Sequence, residues 1–174
     1  GYGIISNAGE ARSRGVEPEL DVNISSLLSI QAGYAYVDAR ISETALNING
    51  DGGNAIKNDA LPGVPSNQAS VLLQMNRSAY GAMLDAGLGL SYTGSVKTAL
   101  NSGFDDFKQL PDFATVNFHT SVSKNHWSVQ LFVKNLTNER VVTGQRGATY
   151  YGERGRFDYI NRPRTVGVNL QLSF

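Results

Sequence analysis

No cysteine occurs among the 174 residues. That removes a disulfide framework, a thiolate metal site and a cysteine nucleophile together. A net charge is also missing: 15 basic and 15 acidic side chains leave a formal charge of +0. Such a balance gives no electrostatic case for nucleic acid or an acidic substrate. No apolar run approaches the roughly 20 residues that a membrane helix requires. This absence excludes helical spans only, because a transmembrane β-barrel hides its apolar content in alternation. Gly1 to Ser6 lacks the basic start and apolar core of an export leader. If the protein is exported, its leader has been removed or the chain begins inside a longer one. Long runs of helix formers are missing too, whereas Gly and Asn abound, which fits an all-β chain.

What is present is alternation. From Thr165 to Phe174, Val166, Val168, Leu170, Leu172 and Phe174 share one side of an extended chain, and Gly167, Asn169, Gln171 and Ser173 the other. About ten residues of tilted strand cross a bilayer, whereas a soluble strand usually has about five or six. The same pattern recurs upstream. Val16, Pro18, Leu20, Val22 and Ile24 alternate with Glu17, Glu19, Asp21 and Asn23, although Pro18 removes a ladder hydrogen bond. Further apolar rows are Leu28 to Tyr36, Ala69 to Met75, Leu84 to Tyr92, Val116 to Val122 and Trp127 to Val133. Leu72 and Phe132 interrupt the polar rows.

The connections alternate in length. Short turns are expected at Ser25-Ser26, Asn76-Arg77-Ser78 and Lys124-Asn125-His126. Structureless loops are expected from Ser42 to about Ser66, Lys97 to Leu110 and Thr143 to about Asn161. Outer-membrane barrels place short turns on the periplasmic side and long loops outside. A soluble sandwich has no reason to gather its long loops at one end. Two aromatic belts follow: Trp127 and Phe174 at the turn end, Tyr34, Tyr36, Tyr92 and Phe113 at the loop end.

Several motifs resemble the C-terminal part of the barrel of TonB-dependent outer-membrane receptors. Asn7-Ala8-Gly9-Glu10 with Gly15-Val16-Glu17 resembles the family's asparagine–glycine turn before a "GvE" strand. Leu61-Pro62-Gly63-Val64-Pro65 resembles its "lP.vP" segment. Val133-Lys134-Asn135-Leu136-Thr137-Asn138-Glu139 resembles its "v.NL.d..Y" stretch, with Arg140-Val141 where an aromatic is common. Arg162-Pro163-Arg164 before a strand ending in Phe174 is similar to its "PR" plus terminal Phe. The resemblance implies a large antiparallel transmembrane β-barrel of the bacterial outer membrane, filled by an N-terminal plug. Residues 1–174 would form its last seven to eight strands, with the plug absent. It implies uptake of a scarce ligand, most often a ferric siderophore but also cobalamin, haem or a saccharide, energised through TonB. It further implies outer-membrane lipid and the barrel-assembly machinery as partners, with Phe174 as the assembly signal.

Arg146, Tyr150, Tyr151, Arg154 and Arg156 in the last long loop are the candidate ligand contacts. Guanidiniums bind anionic oxygens with fork geometry, and tyrosines offer flat faces and hydroxyls. The competing reading is a loop that binds lipopolysaccharide or shields the barrel mouth. Glu17, Glu19 and Asp21 read as ordinary lumen wall. His119 has no partner histidine at useful spacing, and His126 sits in a turn, so neither suggests a metal site. Asp105 and Asp106 are adjacent rather than set across a cleft, and Gly87-Leu88-Gly89 lies inside a strand without a third glycine. Catalytic residues, a resident metal and a cofactor are therefore not expected, and the chain is read as no enzyme. The alternatives are a complete eight-stranded outer-membrane barrel with a structural or adhesin-like role, a barrel lipase or protease, and a soluble β-sandwich adhesin.

Overall fold

The computed structural model describes residues 9–48, 53–104, 107–150 and 153–173, with backbone alone at 146–150, 153, 154 and 156. Among them all regular structure is β: β1 (Ala11–Val16), β2 (Glu19–Asn23), β3 (Leu28–Ile41), β4 (Asn67–Ala79), β5 (Ala82–Thr93), β6 (Val96–Lys97), β7 (Gln109–Leu110), β8 (Phe113–Lys124), β9 (Trp127–Lys134), β10 (Val142–Tyr150), β11 (Glu153–Ile160) and β12 (Thr165–Leu172). Among the described residues no helix is long and apolar enough to cross a membrane.

One antiparallel sheet carries the chain. Its order is β1-β3-β4-β5-β8-β9-β12, with β2 also paired to β3. β1 and β2 are one line broken at Glu17-Pro18, for Val16 opposes Tyr36 and Glu19 opposes Gly33 without a change of register. The carbonyl of Pro18 still accepts the Tyr34 N–H at 3.1 Å. Only the bond that proline cannot donate is lost, so the residue sits at a ladder gap rather than a bulge.

The register explains why all these segments are strands of one sheet. Every apolar row meets an apolar row: Ile30 faces Leu73, Val71 faces Leu90, Leu88 faces Phe118, Val122 faces Val129, and Leu131 faces Val168. Cross-strand pairs of this kind stabilise a sheet, and a slip of one residue would turn every row over. The apolar face is exposed: Leu131 is 51% exposed, Val168 63% and Leu170 67%. A soluble sandwich would have hidden these three first.

The short connections lie together at one end of the sheet and the long ones at the other. Ser25 closes the first turn, its N–H donating to the Leu28 carbonyl at 3.1 Å. The second turn is not at Asn76-Arg77-Ser78, which continue β4. It lies at Tyr80-Gly81, where φ is +52° and +71°. Two successive positive φ values make the tight hairpin whose twist matches its strands, and Gly81 adopts its value without a Cβ clash. The third turn holds Asn125 at φ +50°.

The long connections are more ordered than their composition suggests. β6 and β7 pair inside the second, and β10 and β11 make a hairpin of most of the third. The first and second pack together over Ile41, Ala55 and Leu100, with Leu61 and Phe104 against them. Asn101 ties the two, its Nδ2 donating to the Asn54 carbonyl at 2.9 Å and to Asp59. The odd positions of β3 above the main sheet, Ala39 and Ile41, are thereby buried at 7% and 2%. The buried apolar side chains thus gather in this cap and at the loop end, not between the membrane-length strands.

Phe113 leaves the expected belt. It opposes Thr93 on the polar face, and Ala114 takes the apolar position opposite Tyr92. Tyr34, Tyr36 and Tyr92 mark the loop end and Trp127 the turn end. Phe174 lies outside the described residues, as do Asn7 and Ala8 of the first motif.

Candidate ligand-facing surface

The polar face of the sheet is built from glycines and rings. His119 lies across Gly87 so closely that a Cβ there would come within 2.2 Å of its Cε1, and Phe132 covers Gly167 with its Cζ 2.3 Å from the same imaginary atom. Both pairs are directly opposed in the register. A ring lying flat over a glycine restores packing that the bare backbone lacks. Leu72 is treated similarly, opposite Gly89. The two interruptions of the polar rows therefore have partners that single-strand patterns do not reveal. Lys134 stands over the Phe132 ring, Nζ 5.6 Å from its centroid, within reach of a cation–π attraction.

His119 does have a partner, but an acidic one. Its Nε2 lies 3.1 Å from Asp85 Oδ1, and Asp85 Oδ2 accepts from Gln74 Nε2 at 3.0 Å. Residues 34 apart in sequence meet because Asp85 is one diagonal step from the Gly87–His119 pair. Among the described residues no group of three or more His, Asp and Glu side chains is placed to hold a metal ion. Glu17, Glu19 and Asp21 are exposed at alternate positions beside this wall, and Asp21 accepts from Gln31 Nε2 at 3.3 Å. His126 is exposed in its turn, where its carbonyl receives the Ser173 N–H at 2.8 Å.

Asn135 is the buried polar residue of the chain's described part, at 4% exposure. Its φ is +52°, a left-handed value that Asn tolerates better than most residues. Its Nδ2 donates to the Glu139 and Arg162 carbonyls at 2.9 and 2.8 Å, and its Oδ1 accepts the Glu139 N–H at 2.9 Å. Asn138 Oδ1 takes the Arg164 N–H, and Asn161 Oδ1 the Val141 N–H, both at 3.1 Å. These three asparagines join the end of β9 to the start of β12 and fix both feet of the β10–β11 hairpin. The "NL.d" and "PR" motifs, 27 residues apart, are thus two halves of one knot.

The candidate contacts lie on that hairpin. Arg146 pairs with Phe157, Arg156 with Gly147, Arg154 with Thr149 and Tyr150 with Glu153. In register, Arg146 and Tyr150 have one parity, Arg154 and Arg156 the other. Tyr151 lies outside the described residues. The stem adds two aromatics not singled out from sequence, Phe157 and Tyr159, 61% and 54% exposed. Their alternation with Arg156 and Asp158 was the available signal.

Comparison with known proteins fits this architecture. The family described as TonB dependent receptor-like, beta-barrel matches residues 1–136. A TonB-dependent receptor of Haemophilus influenzae is 30% identical over 136 residues, covering 75% of this chain and 37% of that protein. The ferrioxamine B receptor of Salmonella typhimurium is 31% identical over 144 residues, covering 82% and 19%. The chain therefore spans between about a fifth and somewhat over a third of these relatives. Among solved structures, the ferric yersiniabactin uptake receptor of Yersinia pestis superposes with a TM-score of 0.73 at 20% identity, covering 97% of this chain and 24% of its own. The exposed apolar face, the gathered long loops and the matched family agree, and the chain belongs to the TonB-dependent receptor-like β-barrels.

Proposed function

We propose that this chain is the C-terminal arc of an outer-membrane receptor that takes up a ferric siderophore, driven through TonB by way of a plug that the arc helps to enclose. The single observation carrying this reading is the division of the sheet into an exposed apolar face and a polar wall, capped at one end by long loops. Barrels of the family lie in the bacterial outer membrane, and the ferrioxamine B and yersiniabactin receptors bear their ligands in their names. The described sheet is open, with β1/β2 and β12 at opposite edges. That supports an arc of a larger barrel over a complete eight-stranded one. The family consists of transport receptors, so the function proposed is uptake and no enzymatic step is assigned.

In this reading the β10–β11 hairpin meets the ligand, through Arg146, Tyr150, Tyr151, Arg154 and Arg156 with Phe157 and Tyr159. Arginine forks suit the anionic oxygens of a ferric complex, and aromatic faces suit its organic shell. Phe174 serves the barrel-assembly machinery. The test uses the full-length receptor in an iron-starved strain lacking its other siderophore receptors. Growth on one of a panel of ferric hydroxamates, catecholates and mixed chelators, abolished by loss of TonB, is the expected result. Replacing Arg154 and Arg156 by Ala should weaken binding of that chelate while barrel yield stays unchanged. No growth on any ferric chelate would refute siderophore uptake.

A further inference from the structure

The upper part of β1 and β3 carries an arrangement that a sheet does not favour. Arg12 stands directly opposite Arg40, and Arg14 opposite Asp38. Like charges directly opposed across two strands are destabilising. One carboxylate serves two of the three guanidiniums: Asp38 accepts from Arg40 Nε and lies 3.7 Å from Arg14 Nε. Arg40 also donates to the Asn58 carbonyl at 3.0 Å. Arg14 keeps 69% of its side chain exposed. Glu10 is the next acidic group along this line, beyond Arg12, its carbonyl occupied by the Ser42 N–H.

The position of the cluster matters as much as its charge. Asp38 and Arg40 occupy even positions of β3, alternating with the buried Ala39 and Ile41, and Arg14 and Arg12 oppose them on β1. The β3 pair continues the row Leu28, Ile30, Ala32, Tyr34, Tyr36, and the cluster sits on the outside of the arc, just above its tyrosines. That row is free of charge for nine residues, which at about 3.4 Å each and a tilt of about 40° spans roughly 20–25 Å, the height of an apolar barrel band. The arginines therefore stand at the level where hydrocarbon gives way to headgroups.

We infer that Arg12, Arg14 and Arg40 form a docking site for a phosphate group of the outer-leaflet lipid. A phosphate accepts several guanidinium forks at once and relieves the Arg12–Arg40 repulsion that Asp38 leaves unbalanced. The site rests on the proposal that the apolar face lies in lipid. It is independent of which ligand the receptor carries, and it assigns the lipid to the strand wall rather than to the apical hairpin.

The test measures binding of diphosphorylated lipid A to the full-length receptor in detergent by native mass spectrometry. R12Q/R14Q should bind it roughly tenfold or more weakly, given the strength of charged hydrogen bonds. R12K/R14K should recover part of the loss, because it keeps charge without the fork. K97Q/K108Q, which removes two charges from the β6–β7 hairpin of the cap, should bind as the parent does. A dephosphorylated lipid A should show no difference between parent and R12Q/R14Q. Heat-modifiable gel mobility verifies that each barrel is folded. Unchanged lipid A binding by folded R12Q/R14Q overturns the site and leaves the membrane reading standing. Equal displacement of the lipid by millimolar inorganic phosphate overturns it in favour of a soluble-anion site. A parent receptor that fails to insert into lipid vesicles overturns the membrane reading and the site with it.

Discussion

Leu170 and Asn169 are neighbours in one strand, yet replacing each by Arg should have unequal consequences. Leu170 opposes Val129 on the apolar face and is 67% exposed. It lies midway along the segment that would cross the bilayer, so an arginine there meets hydrocarbon. Such a charge near the midplane costs about 2–4 kcal/mol, and a value near 3 is more than a hundredfold in the folding equilibrium. Asn169 points to the polar wall, where its Nδ2 donates to Gln130 Oε1 at 2.9 Å. Losing that bond costs about 1 kcal/mol at most in so open a place, and the new charge stays hydrated. The assay is urea-induced unfolding of the full-length receptor from lipid vesicles, read by the heat-modifiable gel shift. Leu170→Arg should move the midpoint far down and Asn169→Arg only slightly. Equal shifts, or a larger one for Asn169→Arg, would show that Leu170 does not face lipid.

Three further outcomes follow from individual geometries. Gly167→Ala places a Cβ where Phe132 Cζ stands, so it should cost about 1–3 kcal/mol by overpacking. Phe132→Ala in the same chain should recover most of that, and a double-mutant cycle with additive effects would remove the ring-on-glycine account. Asn135→Ala removes the side-chain donor of the Arg162 carbonyl and the acceptor of the Glu139 N–H, while the Glu139 carbonyl keeps Asn161 Nδ2, and it leaves Ala at a left-handed φ. Roughly 2–4 kcal/mol of barrel stability should go, and Asn135→Gly should recover only the backbone share; unfolding midpoints measure both. The Asp38 carboxyl lies above the apolar band, where the hydrogen bond from Arg40 holds it below its ordinary value of 3.8. A lowered acid stabilises fully above its unfolded value and loses that contribution as pH falls through the folded one. Hydrogen exchange at Ile41 and Ser42 should therefore quicken below pH 3.8, and Asp38→Asn should abolish that acid step; an identical pH profile in the variant would contradict it.

The strand rows, their faces and the gathering of long loops at one end were legible because alternation is local and the register merely aligns rows already present. The turn at Tyr80-Gly81 was not. Asn76-Arg77-Ser78 has turn composition, but the register carries β4 on until two residues can take positive φ together. Phe113 was misplaced for a related reason: counting from a strand end gives its height but not its face. The loops hid most. Polar, glycine-rich segments gave no period between Ser42 and Ser66, yet Ile41, Ala55 and Leu100 find one another across them. Likewise, Asp85 and His119 come together only through a diagonal between two strands. Their meeting lives in the pairing, which no single segment encodes. The five loop residues proposed for the ligand were chosen by chemistry alone; the structure places four of them, Arg146, Tyr150, Arg154 and Arg156, in one paired hairpin.

The two apical elements differ in what holds them, and that difference bears on function. The cap over β3 has buried side chains of its own and is cross-tied by Asn101, so opening it exposes apolar surface. The β10–β11 hairpin has a ladder but no buried residue along its described stem; Phe157, Tyr159 and Ile160 all face solvent. A two-stranded ribbon without a core is marginal by itself, and segments with few buried contacts open at low free energy. The asparagine knot at Asn135, Asn138 and Asn161 secures only its feet. A ribbon fastened at the base and uncommitted above can close on a ligand at little cost, whereas the cap would have to surrender a core to do so. Binding energy therefore has its cheapest structural outlet in the hairpin, which adds a mechanical reason to the proposal that this element, rather than the ordered loops beside it, meets the ligand.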